Sequence, residues 1–150
     1  MEIKKSDRKL VFSYETKTNL KNLMQAIGNN PEELMNELQK QGINPAGPQI
    51  WTYEGSDGNP DTELTLKITI PVEKKGKNAG EMRFEELPPY KYIETTHKGP
   101  YADFQKVYEN IMRDVFKAGL IPDGSSREVY LNCDFEDQSK CVTDIQIGVK

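Results

Sequence analysis

The chain has 150 residues, a formal net charge of −4 and an isoelectric point of about 5.2, with 35% hydrophobic and 29% charged residues. This balance fits one globular domain with a sizeable core and excludes a disordered chain. The acidic sign argues against direct DNA or RNA binding, which needs a basic stripe, and no apolar run is long enough to span a bilayer. The opening Met1-Glu2-Ile3-Lys4-Lys5 lacks the apolar stretch of a secretory signal, so the expected location is the cytoplasm. One histidine, His97, and two cysteines, Cys133 and Cys141, give no metal-ligand spacing, and neither metal nor cofactor is expected. The two cysteines could face each other across a hairpin, but in a reducing compartment two free thiols are expected.

Leu10-Val11-Phe12-Ser13-Tyr14 reads as the first strand, and residues 19–29 as a short irregular helix. Asn30-Pro31-Glu32-Glu33 is a helix start, with Asn30 as N-cap, Pro31 in the first turn and acids at the positive helix end. Leu34 and Leu38 face the core, and Gly42 ends the helix. Ile50 to Tyr53 and Leu64 to Val72 form a hairpin in which Leu64, Leu66, Ile68, Ile70 and Val72 alternate with polar residues. Lys74, Lys75 and Lys77 lie in a solvated linker. Residues 82–96 predict a strand, broken by Gly99-Pro100. Phe104, Val107, Tyr108, Ile111, Val115 and Phe116 follow at helical spacing as one buried stripe, closed by Gly119. Arg127 to Cys133 and Thr143 to Val149 predict two more strands.

A shift of 77 residues aligns 34–72 with 111–149 without a gap, and ten of the 39 pairs are identical, including Gly42/Gly119, Pro45/Pro122, Tyr53/Tyr130 and Asp57/Asp134. The fold expected is therefore α+β: one domain, 1–150, of two β-α-β-β units related by a pseudo-twofold axis, with antiparallel sheets curved around a central ligand groove. Repeat one spans about 8–73, the linker about 74–80 and repeat two about 81–150.

His97-Lys98-Gly99-Pro100-Tyr101, then a helix, then Arg127-Glu128-Val129-Tyr130-Leu131 and Thr143-Asp144-Ile145-Gln146-Ile147-Gly148-Val149 resemble the second half of a GyrI-like domain, also called the AraC-type effector-binding domain. Tyr53 and Ile68-Thr69-Ile70-Pro71-Val72 resemble its first half. The resemblance covers nearly the whole chain and rests on order and spacing rather than on one motif. It implies a duplicated fold with a central ligand groove. Some members of that family are regulatory modules fused to a DNA-binding domain, and some stand alone, including an inhibitor of DNA gyrase. Some bind lipophilic cations over an acidic residue, and a subset hydrolyses strained cyclopropane-containing toxins with a glutamate and an aromatic residue. The family's glutamate falls at Glu128, while Gly148 stands where a proline is often found.

On a strand, residues two apart share a face. Val129 and Leu131 suit a helix-covered face, which assigns Glu128 and Tyr130 to the groove on the other side. The 77-residue shift maps these onto Trp51 and Tyr53. Three aromatics and one carboxylate suit a flat or cationic organic ligand. A carboxylate on a central strand is costly to bury without a partner, so Glu128 either lies at an exposed edge or meets a ligand. Tyr101, in the first turn of the second helix, is expected at the groove mouth. His97 is either a gate or proton carrier or an ordinary loop residue.

Three functions follow. The leading one is stand-alone binding of a small lipophilic, aromatic or cationic molecule, for drug or effector sensing or sequestration, with a link to transcription through a separate regulatory partner. The second is a hydrolase of strained electrophiles, with Glu128 activating water and Tyr53 or Tyr130 holding developing charge. The third is a protein-interaction module, such as a topoisomerase inhibitor that mimics DNA by its acidic surface.

Overall fold

The computed structural model describes residues 2–134 and 136–150, so Met1 of the opening stretch lies outside the described residues. In chain order the elements are β1 (Lys4–Ser6), β2 (Lys9–Thr18), α1 (Leu23–Ile27), α2 (Asn30–Lys40), β3 (Ile50–Glu54), β4 (Leu64–Pro71), β5 (Arg83–Leu87), β6 (Tyr90–Lys98), α3 (Phe104–Lys117), β7 (Pro122–Asn132) and β8 (Val142–Val149). A single 3₁₀ turn, Tyr101–Asp103, leads into α3. The strands form one antiparallel eight-stranded sheet in the order β1-β6-β8-β7-β3-β4-β2-β5. Among the described residues no helix is long and apolar enough to cross a membrane.

Both long helices cover the same face of this sheet. Leu34 and Leu38 of α2 pack with Phe12, Leu64, Leu66, Ile68 and Ile70. Ile111 and Val115 of α3 pack with Ile93, Ile145, Ile147 and Val149. Burying each such side chain contributes about 1.5–3 kcal/mol, which is why the helices settle on the apolar rows of β4 and β8. The opposite face carries a smaller cluster of Val11, Ile50, Leu87 and Val129. There Arg127 lies 3.9 Å above the Tyr90 ring and donates to the Pro88 carbonyl at 3.2 Å.

The two halves of the sheet join edge to edge, β3 pairing with β7, because each strand has free ladder groups to satisfy there. Several expectations need correction. The strand expected over 82–96 is two strands, since Pro88 and Pro89 cannot donate to a ladder. The first of these, β5, pairs with β2, and the short β1 pairs with β6. Asn29 rather than Asn30 is the N-cap of α2, and Asn30 turns its side-chain amide back to the carbonyls of Ala26 and Ile27. Phe116 is 66% exposed: it follows Val115 directly and so leaves the helix face that Ile111 and Val115 bury.

The helix ends match in detail. Gly42 and Gly119 take φ of 70° and 71°, and the next residue in each case donates back across the turn, Ile43 to Leu38 and Leu120 to Val115. An alanine at either position would sit in the left-handed region at a cost of about 1–2 kcal/mol. Gly42→Ala and Gly119→Ala are therefore expected to lower unfolding free energy by similar amounts in that range, with the denaturant midpoint shifted and the slope unchanged.

Candidate ligand site

The site is built at the seam between β3 and β7. Trp51 and Glu128 are directly opposed there, and each also has an apolar neighbour on its outer side, Ile68 for Trp51 and Ile145 for Glu128. Opposed residues point to the same face of a sheet, as do residues two apart. Trp51, Tyr53, Glu128 and Tyr130 therefore converge on one face at the middle of the sheet.

That face is the helix-covered one, contrary to the sequence expectation. Tyr108 of α3 reaches down and donates to Glu128 Oε2 at 2.6 Å. Tyr53 packs within the α2 core and donates to Glu128 Oε1 at 3.0 Å. Tyr130 donates to the same oxygen. Val129 lies on the other face, and Leu131 is 49% exposed rather than under a helix. Polarity alone does not mark the uncovered face of β7. Glu128 tolerates the covered side because three phenols meet it there.

Glu128 is 4% exposed, so its carboxylate is removed from water and held by three hydroxyl donors. Burial raises its pKa above the ordinary carboxylate value; the hydrogen bonds from Tyr108, Tyr130 and Tyr53 pull downward and do not cancel it. The three tyrosines are pushed well above their ordinary value, first by burial and next by the Glu128 charge. All three therefore remain protonated donors at neutral pH.

Aromatic side chains surround this centre. Trp51 meets Tyr130 edge-on at 4.8 Å between ring centroids, and its indole nitrogen donates to Gln49 at 3.0 Å. Tyr101 meets Tyr130 at 6.1 Å and Phe104 at 5.4 Å, which puts it beside the cluster. His97 packs edge-on against Phe104 at 5.5 Å and contacts the Pro100 carbonyl at 3.0 Å. Its contacts are those of a residue that fixes the loop before α3, away from Glu128. Thr143, opposed to Tyr130, is 1% exposed, and its hydroxyl has no partner among the described residues. Tyr108 is the participant that sequence reasoning missed. It belongs to the buried stripe of α3, and a phenol in such a stripe requires a polar partner, which is the signal the sequence offers.

The curled antiparallel sheet carries a carboxylate at the centre of its helix-covered face, ringed by aromatics, and the fold is that of a class of small-molecule-binding domains. The chain belongs to the GyrI-like small molecule binding domain family, whose model matches residues 1–150. No protein of curated function matches it in sequence. Among solved structures it is similar to the C-terminal domain of EcmrR, at 22% identity and a TM-score of 0.80, over 99% of this chain and 96% of that one. It spans 56% of the EcmrR chain seen in a complex with DNA, at 22% identity and a TM-score of 0.81 over 99% of its own length. SAV2435 bound to tetraphenylphosphonium shares the fold at 14% identity and a TM-score of 0.66, over 99% of this chain and 93% of that one. So does a hydrolase from Listeria innocua, at 12% identity and 0.63, over 99% and 91%.

Two outcomes test the geometry. Because the folded-state pKa of Glu128 is raised, its stabilising contribution is fully present below the unfolded-state pKa and is lost as pH rises through the folded value. Between about pH 5 and about pH 8 the melting temperature of the wild type should therefore fall relative to that of Glu128→Gln. Tyr108→Phe removes one donor to the ionised carboxylate. It should cost on the order of 1.5–3 kcal/mol at high pH and less where Glu128 is protonated, measured by denaturant unfolding at both pH values.

Proposed function

We propose that this domain binds a lipophilic, aromatic cation over Glu128, for effector or drug sensing or sequestration. The observation that carries the reading is one buried carboxylate in an aromatic cluster with, among the described residues, no cationic side chain hydrogen-bonded to it. Its hydroxyl partners fix its position without neutralising its charge. An incoming cation is attracted both by that charge and by the ring faces of Trp51, Tyr130 and Tyr101. With Glu128 so little exposed, entry requires side chains above it to rotate. Tyr130 and Tyr101, both half-buried, are the ones at hand.

The rival reading, hydrolysis with Glu128 as base, has less support in the contacts. A carboxylate offers about four acceptor positions, and three are filled by phenols. A base needs a free lone pair directed at its water. The likeness to EcmrR supports a link to transcription in which this chain reports ligand to a separate DNA-binding partner.

We infer in addition that segments 34–72 and 111–149 are copies of one unit. Under the 77-residue shift the opposed pair Trp51/Glu128 maps onto itself, Trp51/Ile68 maps onto Glu128/Ile145, and Pro45/Val72 maps onto Pro122/Val149. Asp57 and Asp134 each accept a backbone N–H from two residues on. The exchange of β1 and β5 between halves is itself reciprocal.

Calorimetric titration with tetraphenylphosphonium tests the binding reading. Two unit charges about 6 Å apart at an effective dielectric of about 20 attract by about 3 kcal/mol. Glu128→Gln is accordingly expected to weaken binding by about 2–3 kcal/mol, roughly 30- to 150-fold. Wild-type affinity should rise with pH through the free-state pKa of Glu128, with proton release, and the variant should lose that dependence. Equal affinities and equal pH profiles would reject Glu128 as the cation's partner, and product formation from an electrophilic ester would favour the hydrolase.

A further inference from the structure

Cys133 and Cys141 flank the last rung of the β7–β8 ladder, Asn132 opposite Val142. They are the next residue beyond that rung on each strand end, neighbouring positions of the kind a disulfide can bridge. Their sulfurs are drawn to the same few atoms. The Cys141 Sγ accepts the N–H of Asp134, the residue after Cys133, at 3.3 Å and donates its S–H to that residue's carbonyl oxygen at 3.4 Å. The Cys133 Sγ accepts the Tyr101 hydroxyl at 3.2 Å. Both thiols are free, and they differ in access: Cys133 is exposed and Cys141 is fully buried.

We propose that Cys133 and Cys141 form a peroxide-sensitive thiol pair whose closure to a disulfide releases Tyr101 at the edge of the aromatic cluster. The exposed Cys133 thiolate attacks one oxygen of hydrogen peroxide. The O–O bond breaks, the leaving hydroxide takes up the thiol's proton as water, and Cys133 becomes a sulfenic acid. The Cys141 thiolate then attacks the sulfenic sulfur. The S–S bond forms, the S–O bond breaks, and the hydroxide leaves as water with the second thiol's proton. Two thiols thus give up two electrons and two protons, and one peroxide becomes two waters. Asp134, Glu136 and Asp137 in the intervening loop repel an anionic oxidant such as glutathione disulfide, so the neutral peroxide is the fitting reagent.

Closure reaches the cluster through Tyr101. In the disulfide Tyr101 loses its thiol acceptor, and its ring rests against Tyr130, which in turn meets Trp51. Trp51 is the single tryptophan of the chain, so its emission reports on this cluster alone.

The test treats the reduced full chain with hydrogen peroxide and follows intact mass, alkylation of each thiol and Trp51 emission. The expected result is a monomer lighter by two hydrogen atoms, with both thiols protected and emission shifted, all reversed by dithiothreitol. Cys141→Ser should accumulate a sulfenic acid at Cys133 that dimedone traps, and Cys133→Ser should stay unreacted at the same dose. Tyr101→Phe should still close the disulfide but lose most of the emission shift. Circular dichroism establishes that each variant is folded, and the wild-type mass result stands without them. Over-oxidised Cys133 beside an alkylatable Cys141, or a disulfide between two chains, would overturn the pair. A closed disulfide with unmoved wild-type emission would overturn its link to the cluster. None of these readouts uses tetraphenylphosphonium, so failure here and failure of the cation-binding reading are told apart.

Discussion

Burying a carboxylate in the middle of a sheet is among the more expensive things a small domain can do, and Glu128 is held at 4% exposure under a helix. The cost is offset by three phenolic donors from three different elements, β3, β7 and α3. Those bonds tie the two halves together on the helix-covered face, where the two main apolar clusters each stay within one half of the sheet. Removing the carboxylate would leave three buried hydroxyls to find other partners. Removing the phenols would leave a bare charge. Each component makes the other tolerable, and the seam depends on both.

This arrangement also explains why the site is receptive. Hydroxyls donate hydrogen bonds but carry no charge, so the negative charge at the centre is positioned and still uncompensated. An arginine or lysine in place of any tyrosine would have made a closed ion pair. Tyrosines instead leave the charge available and surround it with ring faces. The β3–β7 register sets the geometry, because the pairing of Trp51 with Glu128 brings one aromatic and one carboxylate side by side on the seam. A slip of one residue would send Glu128 to the opposite face, among Val11, Ile50 and Leu87.

Much of the molecule was legible from residue types alone. The alternation in 64–72 and 143–149, the caps at Gly42 and Gly119, and the spacing of Ile111 and Val115 are local signals, and local physics decides them. Glu128 stood out because an acid amid Val129, Tyr130 and Leu131 breaks the pattern of a buried strand. Other features had no local signature. The side of the sheet that Glu128 faces, the passage of β1 and β5 to the opposite half, and the part played by Tyr108 depend on which edges and faces find one another.

The sequence by itself determined the element types, the central carboxylate and its aromatic company, because periodicity, capping and the cost of an unpaired charge act within a few residues. Only the tertiary structure decided that the two halves join edge to edge, that both helices lie on one face, and that Glu128 sits beneath them. Period-two alternation separates the two faces of a strand without saying which one a helix will cover. That choice is made by long-range packing, and here a phenol arriving from α3 makes the covered side the one a carboxylate can occupy.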